Sequence, residues 1–151
     1  MTTVATKNPQ DAKIVGASEN PQDAKLGAPP QQYNGKCYQL RDHLEIYLVL
    51  NGYLRHVPDW PTFQRLFTNQ DIFPATNLNF TSRGPALTKS TMLIRGDEVN
   101  KTYLLVDKVK MWIPNPTVFE QYHFDMSKCC VLPQFVVDLI TTAPDNVEGP
   151  H

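Results

Sequence analysis

The pattern of apolar and polar positions between Tyr103 and Phe119 predicts a strand, a tight turn, a second strand, a proline stop and a capped helical turn. Nearly the same pattern occurs fifty-six residues earlier, between Tyr47 and Phe63. The copies align without a gap, and the matched pairs are Tyr47 with Tyr103, Leu48 with Leu104, Val57 with Ile113, Pro58 with Pro114, Asp59 with Asn115, and Phe63 with Phe119. An internal repeat of this kind constrains the architecture before any residue is assigned a function.

Each copy contains the pattern of a β-hairpin. In the first copy, the apolar runs Ile46–Leu50 and Tyr53–Val57 are joined by Asn51-Gly52. Asn-Gly is the strongest short-range hairpin signal, because a type I′ turn requires positive φ at both central residues. The second copy has Asp107-Lys108 at this place, which tolerates that geometry less well, so we expect a related hairpin with a slightly different turn. A short alternating strand at residues 36–40 is expected before the first hairpin.

Helical segments are expected directly after the hairpins. A proline ends strand pairing at the same point in each copy, because it has no amide hydrogen for the ladder. The next residue, Asp59 or Asn115, is a natural helix N-cap, with a proline in the first helical turn. We expect short helices at 60–67 and 116–124. The apolar segment 134–140 is either a helix or a strand, because periodicity over seven residues does not separate the two.

Together these elements predict an α+β, β-rich fold. It consists of two tandem, pseudo-twofold-related β-hairpin/short-helix units that share a core, with an extended N-terminal tail. The expected boundaries are 1–32 for the tail, 33–87 for the first unit, 88–145 for the second unit and 146–151 for a C-terminal tail. The chain is expected to fray from Asp145 onward.

The N-terminal tail has an unusual composition. Residues 1–32 contain no aromatic residue, and they cannot bury enough apolar surface to offset the entropy of ordering, so alone they should be disordered or extended. Six residues nevertheless occur twice, as Asn-Pro-Gln-Asp-Ala-Lys. This is either a functionless duplication or a two-copy linear motif that docks on a neighbouring subunit. The candidate docking residues are Asn8, Pro9, Asp11, Lys13, Asn20, Pro21, Asp23 and Lys25.

Charge and composition exclude several functional classes. The formal charge of −1 and a pI near 6.4 argue against nucleic-acid binding. No apolar run approaches the roughly 18 residues of a membrane span, and the N-terminus lacks the pattern of a secretory signal. The three cysteines, Cys37, Cys129 and Cys130, do not form a disulfide framework of the secreted kind. Reduced thiols favour an intracellular or organellar compartment, and a bridge from Cys37 to the vicinal pair is the alternative.

The second copy also resembles a known family. The residues that carry the resemblance are Leu93-Ile-Arg-Gly96, Tyr103-Leu-Leu-Val106, Met111-Trp-Ile-Pro-Asn-Pro116 and Phe119. They resemble a tandem repeat module of bacterial extracytoplasmic proteins with the pattern "YLv-dG-krrwIPnp-tF". The match is good over 91–145 and loose over 36–87, where His56 stands in place of Trp112. The resemblance implies a small β-rich unit with no assigned catalytic residue, and it leaves an extracytoplasmic location open.

Catalytic chemistry has little support in the sequence. There is no phosphate-binding loop, nucleophile elbow, zinc-binding helix or Cys-x-x-Cys motif. The nearest reactive cluster is His123, Asp125, Cys129 and Cys130, which contains the ingredients of nucleophilic catalysis or of a metal site. Ordinary packing is the simpler interpretation of these residues. We therefore expect no enzymatic activity, no metal and no cofactor.

Aromatic residues concentrated around the two hairpins are the stronger candidates for binding. The candidate binding or interface residues are Tyr53, Trp60, Tyr103, Trp112 and Tyr122. Such rings form interface hot spots or stack on sugars. Residues 103–106 are apolar and uncharged, which leaves little defence against sheet extension between chains.

These observations predict a non-enzymatic structural protein that self-assembles or scaffolds a larger complex. The expected contacts are β-edges and aromatic residues, with the N-terminal tail as a strap across a neighbour. The alternative is a carbohydrate-binding module that uses exposed aromatic residues of both hairpins. The expected partner is thus a second copy or a larger protein assembly, with a glycan as the alternative.

Overall fold

The first half of the chain forms a five-stranded sheet in a computed structural model that describes residues 30–151. Its strands are β1 (Cys37–Leu40), β2 (Ile46–Leu50), β3 (Tyr53–Val57), β4 (Ile72–Ala75) and β5 (Ser82–Arg83), in the order β4-β1-β2-β3-β5. The three central strands pair antiparallel, whereas each edge strand pairs in parallel with its neighbour. The predicted hairpin is therefore the centre of a larger sheet.

The second half repeats this topology. Its strands are β6 (Met92–Gly96), β7 (Thr102–Val106), β8 (Val109–Trp112), β9 (Cys130–Leu132) and β10 (Thr141–Thr142), in the order β10-β8-β7-β6-β9. Read from the other edge, this order matches the first sheet strand for strand, with antiparallel central pairs and parallel edges. The prediction of an α+β, β-rich fold is confirmed.

The two hairpin turns have positive φ angles at both central residues. Asn51 and Gly52 have φ of 49° and 84°, and Asp107 and Lys108 have φ of 51° and 71°. In both hairpins the strand register leaves a two-residue loop. The expectation of a different second turn is wrong, because the flanking strands impose the type I′ twist even on a lysine.

Within residues 30–151, three short α-helices complete the fold, α1 (Trp60–Leu66), α2 (Pro116–Gln121) and α3 (Gln134–Leu139), together with a 3-10 helix at Met126–Lys128. The predicted caps are present, since the Thr62 amide donates to Asp59 Oδ1 at 2.9 Å and the Val118 amide donates to Asn115 Oδ1 at 2.9 Å. Both α1 and α2 end earlier than predicted. Helix α2 cannot continue to residue 124, because His123, two residues after its end, has a φ of 56°, which is incompatible with an α-helix. The ambiguous segment after Pro133 is a helix.

One hydrophobic core is shared by both halves. Its buried members include Leu48, Leu50, Phe63, Leu66 and Phe67 from the first half, and Leu93, Leu104, Met111, Tyr122 and Phe124 from the second. We call the sheet faces that line this core the inner faces. A second, smaller cluster of Val49, Leu54 and Leu78 lies on the outer face of the first sheet.

The position of β7 corrects the expectation of an exposed edge at 103–106. This strand is central in its sheet and pairs with β6 on one side and β8 on the other. Its apolar run fits that position, because a central strand needs no charged residue to prevent pairing with other chains. The exposed edges of this sheet are the short strands β9 and β10.

The C-terminal residues are part of the fold. Val147 is wholly buried in the shared core, and its amide donates to the Trp112 carbonyl at 2.9 Å. Leu87 is buried in the same core, and its amide donates to the His56 carbonyl at 2.9 Å. His56 and Trp112 are equivalent repeat positions, so each unit ends with an aliphatic side chain that closes its inner face. The expected fraying from Asp145 onward is wrong.

Candidate interaction surface

Helix α3 is held at its N-terminus by side chains that are distant in sequence. Pro133 is the N-cap and supplies no side-chain acceptor, but Asp97 Oδ1 accepts from the Gln134 amide at 3.0 Å. Gln134 Oε1 in turn accepts from the Val99 amide at 3.1 Å. A Cβ at Gly96 would collide with the Gln134 side chain, so the glycine leaves room for this contact. The start of α3 is thereby fixed to the β6–β7 turn.

Lys110 holds the other end of α3. Its side chain is buried, and Nζ donates to the carbonyl oxygens of Val137 at 2.9 Å and Ile140 at 2.6 Å. A cation at a helix C-terminus satisfies carbonyls that lack intrahelical partners and interacts favourably with the helix dipole. The equivalent position in the first unit is Leu54, which lies in an apolar cluster instead. The buried lysine thus belongs to the helix that only the second unit possesses.

The opposite side of α3 exposes large apolar side chains. Phe135 is 67% exposed and Leu139 is 79% exposed, whereas Val137 is buried against the sheet. Residues four apart lie on one face of a helix, so Phe135 and Leu139 are neighbours. Val131, in the edge strand β9 that leads into α3, is 49% exposed. We call Phe135 and Leu139, together with Val131 two residues before the N-cap of α3, the α3 apolar face. Exposed apolar residues of this kind mark interaction sites.

The sequence-predicted aromatic residues do not form one platform. Trp60 is 52% exposed and stacks on Phe63, with ring centroids 4.8 Å apart and planes within 9°. Tyr53 is also exposed, but it begins β3, whereas Trp60 follows the end of that strand. Tyr103 and Trp112 are half-buried and lie opposite each other in the β7–β8 ladder.

The prediction that Tyr122 is a binding or interface residue is wrong. Its side chain is wholly buried, and its hydroxyl donates to the Glu148 carbonyl at 2.7 Å. Burial raises the pKa of this phenol above its ordinary value. Tyr122 is the C-cap of α2 and lies in the core shared by both halves, so the ring stabilises their junction and offers no surface to a partner.

Basic side chains cover the half-buried rings on the outer sheet faces. Lys110 Nζ lies 5.3 Å from the Tyr103 ring centroid, and Lys101 Nζ lies 5.0 Å from that of Trp112. On the first sheet, the Arg83 guanidinium lies 4.8 Å from the ring centroid of Tyr47, the repeat equivalent of Tyr103. These are cation–π contacts. Because each cation occupies a ring face, these rings are less available for stacking on a ligand than Trp60.

A polar cleft of about 320 Å³ lies where the halves meet. Its lining includes Lys36, Gln70, Asp71, Phe73, Gln121 and His123. Gln70 Nε2 donates to the Gly35 carbonyl at 3.1 Å and to the Tyr122 carbonyl at 2.9 Å, which ties the two halves together beside the cleft. Sequence reasoning missed this cleft because its walls come from segments far apart in the chain.

Two members of the cluster of His123, Asp125, Cys129 and Cys130 have surroundings that do not favour nucleophilic chemistry. The Asp125 carboxylate accepts from the Ser127 amide at 2.9 Å and from its hydroxyl at 2.7 Å, so its oxygen serves a local turn. Burial raises the pKa of the Cys129 thiol, with Arg95 opposing that shift, so the reactive thiolate is disfavoured. Cys37, Cys129 and Cys130 are all unpaired in the structure.

Among residues 30–151, no group of three His, Cys, Asp or Glu side chains is placed to hold a metal ion. Nor does any helix in the same range have the length and apolar character needed to cross a membrane. The tail candidates Asn8, Pro9, Asp11, Lys13, Asn20, Pro21, Asp23 and Lys25 lie outside the described residues.

Comparison of the chain with protein-family models, with curated proteins and with solved structures gave no match. The surfaces that can support a functional proposal are the α3 apolar face and the exposed Trp60.

Proposed function

We propose that this protein is a non-enzymatic structural protein that assembles with further copies of itself through the α3 apolar face. The observation that supports this proposal is the exposure of Phe135 and Leu139 on a helix whose two ends are fixed by Asp97 and Lys110. A rigid apolar face binds a partner at low entropic cost, because little order has to be gained on association.

A second copy is the partner that best suits this surface. Val131, Phe135 and Leu139 carry no charge, so the face offers nothing that would select a charged partner. Strand β9 is an edge strand, and antiparallel pairing with β9 of a second copy would extend the sheet. In the proposed dimer, a twofold axis through that contact would place α3 of one copy beside α3 of the other, so that each apolar face would cover its counterpart.

Native mass measurement by analytical ultracentrifugation tests this proposal. The wild-type chain is expected to sediment as a dimer or larger species, and Leu139→Glu is expected to sediment as a monomer, because a charge in an apolar interface is costly. Leu44→Glu is the matched control, since Leu44 is 90% exposed but lies in the β1–β2 connection of the other unit. A monomeric wild type, or equal masses for the wild type and Leu139→Glu, would contradict self-assembly.

The N-terminal tail is proposed to act as a strap across the neighbouring copy. A chain lacking residues 1–29 tests this, because it retains Gln31, whose carbonyl accepts from the His151 amide at 3.3 Å. The truncated chain is expected to dissociate at higher concentration than the full chain. Unchanged self-association of the truncated chain would remove the strap from the proposal and leave the role of α3 intact.

Carbohydrate binding is the second candidate, and the stacked pair of Trp60 and Phe63 favours it. Phe63 lies beneath the indole and holds it in one orientation, while the ring remains half exposed. Rigid aromatic faces of this kind stack on sugar rings. Titration against a glycan panel with tryptophan fluorescence tests this function: a binding response should be abolished in Trp60→Ala and retained in Tyr53→Ala. Absence of a response across the panel excludes this candidate.

A further inference from the structure

The C-terminal segment 146–149 is fastened to the first unit by asparagine side chains. Asn51 Nδ2 donates to the Asn146 carbonyl at 2.7 Å, and Asn51 Oδ1 accepts from the Glu148 amide at 2.8 Å. Between these two bonds, Val147 is buried in the shared core. A single carboxamide thus acts as donor and acceptor toward one segment, a combination that a carboxylate cannot provide.

Asn34 reinforces the same attachment. Its Nδ2 donates to the Gly149 carbonyl at 3.1 Å, and its Oδ1 accepts from the Gly52 amide at 2.7 Å. The Gly52 amide and the segment 146–149 are therefore both hydrogen-bonded to the side chain of Asn34. We call Asn34, Asn51 and residues 146–149 the asparagine latch.

We infer that Asn51 is a site of spontaneous deamidation and that its conversion opens the asparagine latch irreversibly. Asn51 is followed by Gly52, and a glycine has no Cβ to obstruct attack by its backbone nitrogen on the preceding side chain. The Gly52 nitrogen bonds to Asn51 Cγ, the bond from Cγ to the side-chain nitrogen breaks, and ammonia leaves with the hydrogen from the Gly52 amide. Water then opens the cyclic imide to aspartate or isoaspartate.

The closed latch restrains this reaction, and the open latch permits it. In the closed form the Gly52 N–H is hydrogen-bonded to Asn34, and the Asn51 amide is engaged on both sides. Asn146 and Glu148 are exposed on either side of Val147, and local opening of this segment frees both reacting groups. After conversion, the carboxylate has no hydrogen to donate to the Asn146 carbonyl, so two acceptor oxygens face each other and the segment stays detached.

The hairpin itself should survive conversion to aspartate. Asp107 occupies the equivalent position in the second unit, with a φ of 51° against 49° at Asn51. The turn therefore accepts an aspartate, and the effect of that product falls on the segment 146–149. Isoaspartate adds a backbone carbon to the two-residue turn, so that product disturbs the hairpin as well as the segment. Its release withdraws Val147 from the shared core and Pro150 from the lining of the polar cleft.

The first experiment follows conversion of the purified full-length protein by peptide mass spectrometry at mildly alkaline and mildly acidic pH. Acid is expected to accumulate at Asn51 of the folded protein, faster at alkaline pH, where the attacking nitrogen loses its proton more readily. A sample unfolded in urea gives the unrestrained rate. Full conversion in urea with no conversion of the folded protein over the same period would overturn the inference.

The second experiment measures hydrogen exchange in Asn51→Asp. Exchange of residues 146–149 is expected to increase by roughly tenfold or more, with the β2–β3 hairpin still protected. Asn100→Asp is the matched control, since it makes the same chemical change at an exposed residue outside the latch. Asn51→Gly removes the carboxamide and places at this position a residue that readily adopts positive φ. If Asn51→Asp does not fold, the exchange of residues 146–149 in Asn51→Gly tests the asparagine latch. Unchanged protection of 146–149 in the folded variant overturns the latch.

Discussion

Phe67 and Phe124 stack face to face where the two halves of the chain meet, with ring centroids 5.8 Å apart and planes within 9°. Their backbones form an antiparallel bridge. Two flanking hydrogen bonds join the same strands, from the Thr68 amide to the His123 carbonyl and from the Asp125 amide to the Leu66 carbonyl. Phe67 directly follows α1 and Phe124 lies three residues after the end of α2, so the segments that follow the two equivalent helices pair with each other.

Phe67→Ala should lower the free energy of unfolding by about 3–5 kcal/mol, because it leaves a cavity in the core shared by both halves. Urea denaturation followed by circular dichroism measures this change. Leu44→Ala is the control, since that side chain is 90% exposed and lies away from the α3 apolar face, so its loss should cost within about 0.5 kcal/mol. Equal effects of the two substitutions would contradict the assignment of Phe67 to the shared core.

Lys108→Gly should stabilise the protein by about 0.5–1 kcal/mol. Lys108 has a φ of 71°, which costs a residue with a Cβ more than it costs glycine. Glycine also increases the conformational entropy of the unfolded chain, which lowers the stability of the fold. A net increase in stability is therefore expected only if relief of the strain at Lys108 outweighs this cost. Lys108→Ala is the control, because it removes the long side chain and retains the Cβ. A melting temperature that rises equally in both variants would show that the gain comes from removing the charge.

Asp59→Asn should abolish part of the acid sensitivity of the fold while changing stability little at neutral pH. Hydrogen bonds from the Thr62 side chain and backbone hold the pKa of Asp59 below its ordinary value. A group with a lowered folded pKa contributes stability above its unfolded pKa, near 4. That contribution is lost as pH falls through the folded value. Asparagine caps a helix about as well as aspartate but does not titrate.

The repeat supplies the reciprocal test of this acid sensitivity. Asn115 is the equivalent cap in the second unit, so Asn115→Asp should add a loss of stability at acidic pH. Denaturation curves at neutral pH and below pH 4 compare both variants with the wild type. Identical acid dependence in all three chains would show that these caps do not contribute to it.

Lys110→Met should loosen α3 and lower the free energy of unfolding by about 1–3 kcal/mol, because the carbonyls of Val137 and Ile140 lose a buried donor. Hydrogen exchange across 134–140 locates the effect. Lys101→Met is the control: that lysine is exposed and lies over Trp112, so its loss should cost about 0.5–1 kcal/mol or less. Unchanged exchange in α3 would mean that Lys110 does not hold the helix.

The local elements of each unit could be predicted from the sequence. Asn51-Gly52 placed a hairpin correctly, and the acceptor side chains of Asp59 and Asn115 placed the starts of α1 and α2 correctly. These signals work because the interacting groups are within a few residues of each other. The internal repeat extended the prediction to the second unit, where Asp107-Lys108 alone is a weak turn signal.

The residues of the candidate interaction surface could not be predicted from local sequence patterns. Tyr122 was selected for its amphipathic ring, yet it is buried and hydrogen-bonded to the Glu148 carbonyl. Phe135 and Leu139 were recognised only as part of an apolar segment, because their exposure depends on which face of α3 lies on the sheet. The exposure of Trp60 and Tyr53 likewise became known only with the fold.

The sequence by itself determined two related units, their hairpins, their proline stops and their helix caps. Only the tertiary structure decided that residues 103–106 form a central strand, that Val147 closes the core and that Asp97 and Lys110 hold α3. The first group depends on short-range geometry, which each segment carries with it. The second depends on contacts between distant residues, whose loop-closure entropy is offset only when the whole shared core forms.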